Sequence, residues 1–160
     1  MIGKPQITLA EQGSKQRLRL WLRLLTVTRK IEAELRERMR TEFDSTLPRF
    51  DVMAALSRHD QGLRMSALSG VLRVSNGNVT GIVDRLAEDG LVMRVPVAGD
   101  RRATLVRLTA KGAEVFARQA AEHEAWIDAM LAELSPEEAR SYAARLRTLA
   151  QRLDDKGATE

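Results

Sequence analysis

The sequence predicts a mainly α fold, six helices interrupted by one two-stranded β hairpin. Three observations carry that reading. Apolar residues recur every three or four positions over most of the 160 residues, as helices with one buried face require. Charged residues make up 30% of the chain and aromatic ones only 4%, a balance rich in alanine, leucine, arginine and glutamate that suits long helices. The apolar period switches to two once, after Gly90, where alternation argues for strands.

The first helix is expected from Lys15 to Phe43, where Leu18, Trp21, Leu22, Leu25, Ile31, Leu35 and Met39 form a stripe between charged residues. At 1.5 Å per residue it is about 40 Å long. One small core covers less than that, so part of the stripe is expected to need a second chain. Asp44 to Leu47 break the pattern, and Pro48, suited to a first helical turn, opens a second helix carrying Phe50, Met53, Ala54 and Leu56 and stopping near Gly62. A short third helix spans Met65 to Leu72, with Leu68, Val71 and Leu72 packing inward. A fourth runs from Asn76 to Glu88, before Gly90 ends it, because glycine accepts the left-handed conformation that closes helices. Strands Leu91 to Val97 and Thr104 to Leu108 flank a tip formed by Ala98 to Ala103. Thr109 caps a fifth helix reaching Leu134. Ser135, Pro136 and Glu138 supply cap, first-turn proline and capping-box glutamate for a last helix through Tyr142, Leu146, Leu149 and Leu153 to Gly157.

Composition bounds the function. A chain with 44% hydrophobic residues buries one core, so residues 1–160 are expected to form a single domain. With no cysteine and only His59 and His123 as histidines, disulfides, thiol sensing and a metal cluster are not expected. No cofactor is expected either. A Gly-rich phosphate loop is lacking and no Ser/His/acid grouping stands out, so an enzyme is not expected. Neither a signal peptide nor a run of about 18 apolar residues is visible, which predicts a cytoplasmic protein without a membrane partner. Residues 1–109 hold 19 Lys/Arg against 12 Asp/Glu, whereas residues 110–160 hold 7 against 10. The basic part is the one able to face phosphates.

Residues 65–86 are the most informative. The short link Arg73-Val74-Ser75 joins two helices at helix-turn-helix spacing, and Ser75 offers its hydroxyl to the second helix's orphan amides. There Val79, Ile82, Val83 and Leu86 make one apolar stripe, leaving Asn76, Asn78, Thr80, Gly81, Asp84 and Arg85 on other faces. Each glycine inside a helix costs about 1 kcal/mol, and close approach to another surface is a reason to keep Gly77 and Gly81. Asparagine pairs with adenine edges, threonine methyls touch thymine, and Arg85 reaches guanine or phosphate. Asn78 suits a helix cap and a base edge equally. At the hairpin tip either Arg101 or Arg102 enters a minor groove, with Asp100 bracing an arginine. These polar groups beside glycine, with the paired arginines, favour DNA over a protein-interaction module, the alternative use of such a domain.

The order of elements resembles the MarR family of winged helix-turn-helix regulators. The likeness covers about Leu18 to Leu153 and is carried by Val79-Thr80-Gly81-Ile82-Val83-Asp84-Arg85-Leu86, Gly90-Leu91-Val92, Asp100-Arg101-Arg102 and Val106-Arg107-Leu108-Thr109-Ala110-Lys111-Gly112. It implies a homodimer built from the N- and C-terminal helices, residues 15–43 and 110–155. It also implies a DNA-binding lobe over 48–109, recognition helices in successive major grooves and β wings in flanking minor grooves. The output implied is repression relieved by a small aromatic effector. Trp21, Leu25, Phe43, Phe50, Met53 and Met65 are the candidate apolar walls for that effector, and Arg36, Arg40 and Arg49 the candidate anion partners. The stretch Leu47 to Asp51, with the arginine-rich first helix, is similar to repressors of hydroxycinnamate degradation, which makes an aromatic acid or its CoA thioester the implied effector.

Overall fold

The computed structural model describes residues 9–72, 76–97 and 99–157. Within them run α1 Leu9–Phe43, α2 Leu47–Leu56, β1 Leu63–Arg64, α3 Met65–Leu72, α4 Asn76–Glu88, β2 Val92–Val97, β3 Asp100–Leu108, α5 Ala110–Met130 and α6 Pro136–Gly157. The chain divides into two compact units, Met1–Glu124 and Ala125–Glu160. Among the described residues no helix is long and apolar enough to cross a membrane.

In the first unit the core is the joint between α2, α3, α4 and the sheet. Val52, Met53, Leu56, Leu68, Val79, Val83, Leu86, Val92 and Val106 are all buried there. Helix α1 begins six residues before the expected Lys15. Among its described side chains it buries only Leu35 and Met39, near its end, while Leu18, Leu20, Trp21, Leu22 and Val27 stay exposed. Thr46 caps α2, its hydroxyl accepting the Arg49 N–H, and Pro48 sits in the first turn.

Several expectations are corrected. Helix α2 ends at Leu56, where the Ser57 N–H bonds the Met53 carbonyl, instead of near Gly62. Gly62 belongs to the turn into β1: its φ is +87°, and a Cβ there would lie 2.6 Å from the Val106 oxygen. The predicted hairpin is present as β2 with β3, and an unpredicted strand extends it to a three-stranded antiparallel sheet of order β1-β3-β2, because Leu63 and Arg64 pair with Val106 and Leu105. Two residues are too few for alternation to reveal a strand. On α3, Val71 is 53% exposed and Ser69 is buried in its place, its hydroxyl donating to the Met65 carbonyl at 3.0 Å. That bond removes the cost of burying the hydroxyl. Met93 on β2 is also exposed.

The fifth helix stops at Met130, four residues before Leu134. In the second unit the reading of the α6 start holds: the Glu138 N–H donates to Ser135 Oγ at 3.2 Å, and the Ser135 N–H to the Glu138 carboxylate at 2.9 Å. Hydrogen bonding from the Ser135 backbone, and then from its side chain, holds the Glu138 carboxyl below its ordinary range. Along α6, Tyr142, Leu146, Leu149 and Leu153 remain exposed.

Candidate DNA-binding surface

Helix α4 has the two faces its sequence implies. Val79, Val83 and Leu86 are buried, whereas Asn78, Thr80, Gly81, Asp84 and Arg85 are exposed. Asn76 is its first residue, and Ser75 lies outside the described residues. A Cβ added to Gly81 meets nothing within 4 Å. The chain's own packing therefore does not demand glycine there.

The end of α4 is fixed from four directions. Gly90, at φ +72°, lets the Leu91 N–H reach the Leu86 carbonyl at 2.8 Å and the Gly90 N–H reach that of Ala87 at 2.9 Å, a Schellman closure. Thr109 then ties the end of the sheet to it. Its hydroxyl donates to the Gly90 carbonyl at 2.6 Å and accepts the Gly112 N–H at 2.9 Å, so one side chain closes α4 and caps α5. Gly112 must be glycine, because a Cβ would sit 1.8 Å from the Leu91 oxygen. Lys111 donates to the Asp89 carbonyl at 2.8 Å. Arg49 of α2 grips the Asp89 carboxylate, and Arg94 of β2 bonds Asp84 at 2.6 Å. Sequence reasoning missed the Arg94–Asp84 and Arg49–Asp89 ties. They join residues ten and forty positions apart, and no local spacing signals such pairs.

The wing is β2 with β3. The expected tip of Ala98 to Ala103 is shorter than predicted, since β3 begins at Asp100, and Ala98 lies outside the described residues. Pairing runs regularly from Val92↔Leu108 to Pro96↔Thr104, then steps to Val97↔Asp100. Arg101 and Arg102 fall in the stretch of β3 where the register shifts, and their side chains lie outside the described residues. Asp100 is exposed opposite Val97.

The candidate effector residues are dispersed. Phe50 and Met53 are buried. Phe50 stacks on His123 of α5 with centroids 4.7 Å apart and lies 5.5 Å from Phe116. Burial pushes the His123 imidazole below its ordinary pKa, against the pull of Asp51, and pushes the Asp51 carboxyl up. Trp21 is exposed, while Leu25, Phe43 and Met65 are half-buried. Arg36 is exposed and paired with Glu32. Arg40 and Arg49 line a cavity of about 430 Å³ beside α4, and Met65 lines another of about 400 Å³ with Arg64, Arg94 and Asp100.

Two short helices ending in an exposed polar recognition face, braced by a three-stranded sheet with a β wing, define a winged helix-turn-helix. The model of the MarR family matches residues 45–104. A MarR family transcriptional regulator from Silicibacter pomeroyi is 31% identical over 88% of this chain and 96% of that one, with a TM-score of 0.72. The transcriptional activatory protein BadR of Rhodopseudomonas palustris is 37% identical over 93 residues, 57% of this chain and about half of that protein, 48%. A mutant MarR from E. coli complexed with operator DNA shares the fold at 24% identity and a TM-score of 0.73, covering 84% of this chain and 95% of that one. The chain belongs to the MarR family, as a DNA-binding transcription regulator.

Proposed function

We propose that the chain acts in the cytoplasm as a symmetric homodimer that represses transcription from an operator, and that a small aromatic effector, an aromatic acid or its CoA thioester, releases it. The observation that carries the DNA part is the exposed face of α4, where Asn78, Thr80, Gly81 and Arg85 stand opposite the buried stripe. Asn76, Asn78, Thr80 and Arg85 read base edges in the major groove, Ser75 assists at the helix start, and Arg101 or Arg102 enters the minor groove. Asp100 supports the wing. Two such surfaces about a two-fold axis address half-sites about 10 base pairs apart.

The homodimer is supported by the exposed apolar residues of α1 and, separately, of α6, since apolar surface of that extent marks an interface. An effector releases DNA only by favouring a dimer whose recognition helices do not fit it. Trp21, Leu25, Phe43, Phe50, Met53 and Met65 are the proposed apolar partners of that effector, with Arg36, Arg40 and Arg49 as anion partners. The resemblance to repressors of hydroxycinnamate degradation supports the aromatic class.

The test is binding to the DNA upstream of the chain's own gene at several salt concentrations. Affinity should fall by about 0.9 log unit per phosphate contact for each tenfold rise in salt, and a flat response would remove the reading. Free aromatic acids and their CoA thioesters are then titrated against the complex. Release by the free acid alone rejects the thioester.

A further inference from the structure

The cavity of about 430 Å³ beside α4 has two unlike walls. One is the flank of the recognition helix, with Asn78, Gly81 and Arg85; the other is the α1–α2 corner, with Arg40, Thr46 and Arg49. Three arginines face this space, with Asp44 as the acidic group among its lining residues. On the other side of Gly81, Asp84 is bonded to Arg94. The exposed strip of α4 is therefore bordered by guanidinium groups on both flanks.

A helix seated in a major groove about 12 Å wide has a sugar–phosphate strand on each side. With α4 so seated, a strand on the Asn78–Arg85 flank would pass this cavity. We propose that the cavity receives a backbone phosphate of the operator, and that Arg40 and Arg49 position that DNA in the effector-free state. The inference rests on the DNA-binding reading of α4 and adds a contact outside the helix-turn-helix and the wing.

The guanidinium chemistry fits. Arg40 donates to Glu37 through Nε at 3.1 Å and Nη2 at 2.6 Å, two of the five N–H donors a guanidinium carries, so its Nη1 edge can take a phosphate while Glu37 fixes its orientation. Both partners are well exposed, at 67% and 59% of the side chain, and a pair of that kind adds little to stability. Arg49 is more enclosed, at 20%, and is held by Asp89. Its position is thereby set before DNA arrives, which lowers the ordering cost of binding.

The experiment compares wild type, Arg40→Ala and Arg49→Ala on operator and on unrelated duplex from 50 to 200 mM salt. Loss of one phosphate contact per subunit, two per operator, makes the slope of log affinity against log salt shallower by about 1.8, so each variant should lose about twelvefold less affinity than wild type across that range. The operator-over-unrelated ratio should stay unchanged, because phosphate contacts carry no sequence information. Arg40→Ala alone decides if Arg49→Ala fails to fold. A wild-type slope in Arg40→Ala overturns the proposal, as does an unchanged slope with a lost response to aromatic acids. A wild type that itself shows no salt dependence overturns the DNA reading first, and so is told apart from both.

Discussion

Gly112 and Gly81 look alike in the sequence, each a glycine inside a helix, and differ entirely in what surrounds them. Beside Gly112 the Leu91 carbonyl oxygen already accepts the Thr109 N–H at 3.0 Å, so the backbone cannot withdraw from an added methyl 1.8 Å away. Gly112→Ala should lower stability by about 3 kcal/mol, the upper end for overpacking, read as a lower urea midpoint. Around Gly81 there is open space, and Gly81→Ala should raise stability by about 0.5–1 kcal/mol through helix propensity. The same variant should bind operator DNA more weakly, because the methyl stands on the face that approaches the bases. A more stable protein with unchanged operator affinity would refute the idea that Gly81 is kept for close approach. The sequence made the Gly81 argument visible from helix propensity alone. For Gly112 it offered only a motif, since the clashing carbonyl comes from Leu91, 21 positions away.

At the scale of elements, what was legible is what local period and caps encode: the stripe of α4, the Thr109 and Ser135 caps, and the glycine stop at Gly90. What was not legible depends on partners distant in sequence. Strand β1 exists because β3 pairs with it, and Ser69 replaces Val71 inside because α3 is too short to average out its phase. Of the candidate DNA residues, Asn78, Thr80 and Arg85 share the exposed side of α4, whereas the candidate effector residues scattered, since residue type says little about which of several cavities a side chain meets. The contact of α2 with α5 gives an element-scale prediction. His123, stacked on Phe50, has its pKa lowered by burial, so as pH falls below about 6.5 the unfolded chain takes up a proton before the folded one does. Stability is therefore complete above that value and is lost as pH falls toward the folded pKa. Asp51, raised by burial, acts in the opposite sense at lower pH by binding its proton first in the folded state. Wild type should show a lower urea midpoint at pH 5.5 than at 7.5, and His123→Gln should flatten that difference. An equal pH dependence in the variant would place the titrating group elsewhere.

For the whole molecule the decisive quantity is unpaired apolar surface. Helix α1 is 35 residues long, about 52 Å at 1.5 Å per residue, yet Leu18, Leu20, Trp21, Leu22 and Val27 are exposed along its first half. On α6 the exposed Tyr142, Leu146, Leu149 and Leu153 recur at steps of four, three and four, one continuous stripe. Each apolar Å² withheld from water is worth about 25 cal/mol, so a second copy covering either stripe gains strongly, and a charge placed in it forfeits that gain. Leu22→Glu and Leu149→Glu should each shift the protein from dimer toward monomer in sedimentation at micromolar concentration, with helix content retained. The DNA consequence follows from linkage of two sites. A dimer binds its second half-site as an intramolecular event, which can raise affinity by 100-fold or more over one recognition helix acting alone. The monomeric variants should lose that factor on a two-half-site operator and show about half the wild-type salt slope, while wild type and variants bind an isolated half-site alike. A variant that is monomeric and still binds the full operator with wild-type affinity would mean that one α4 and one wing suffice.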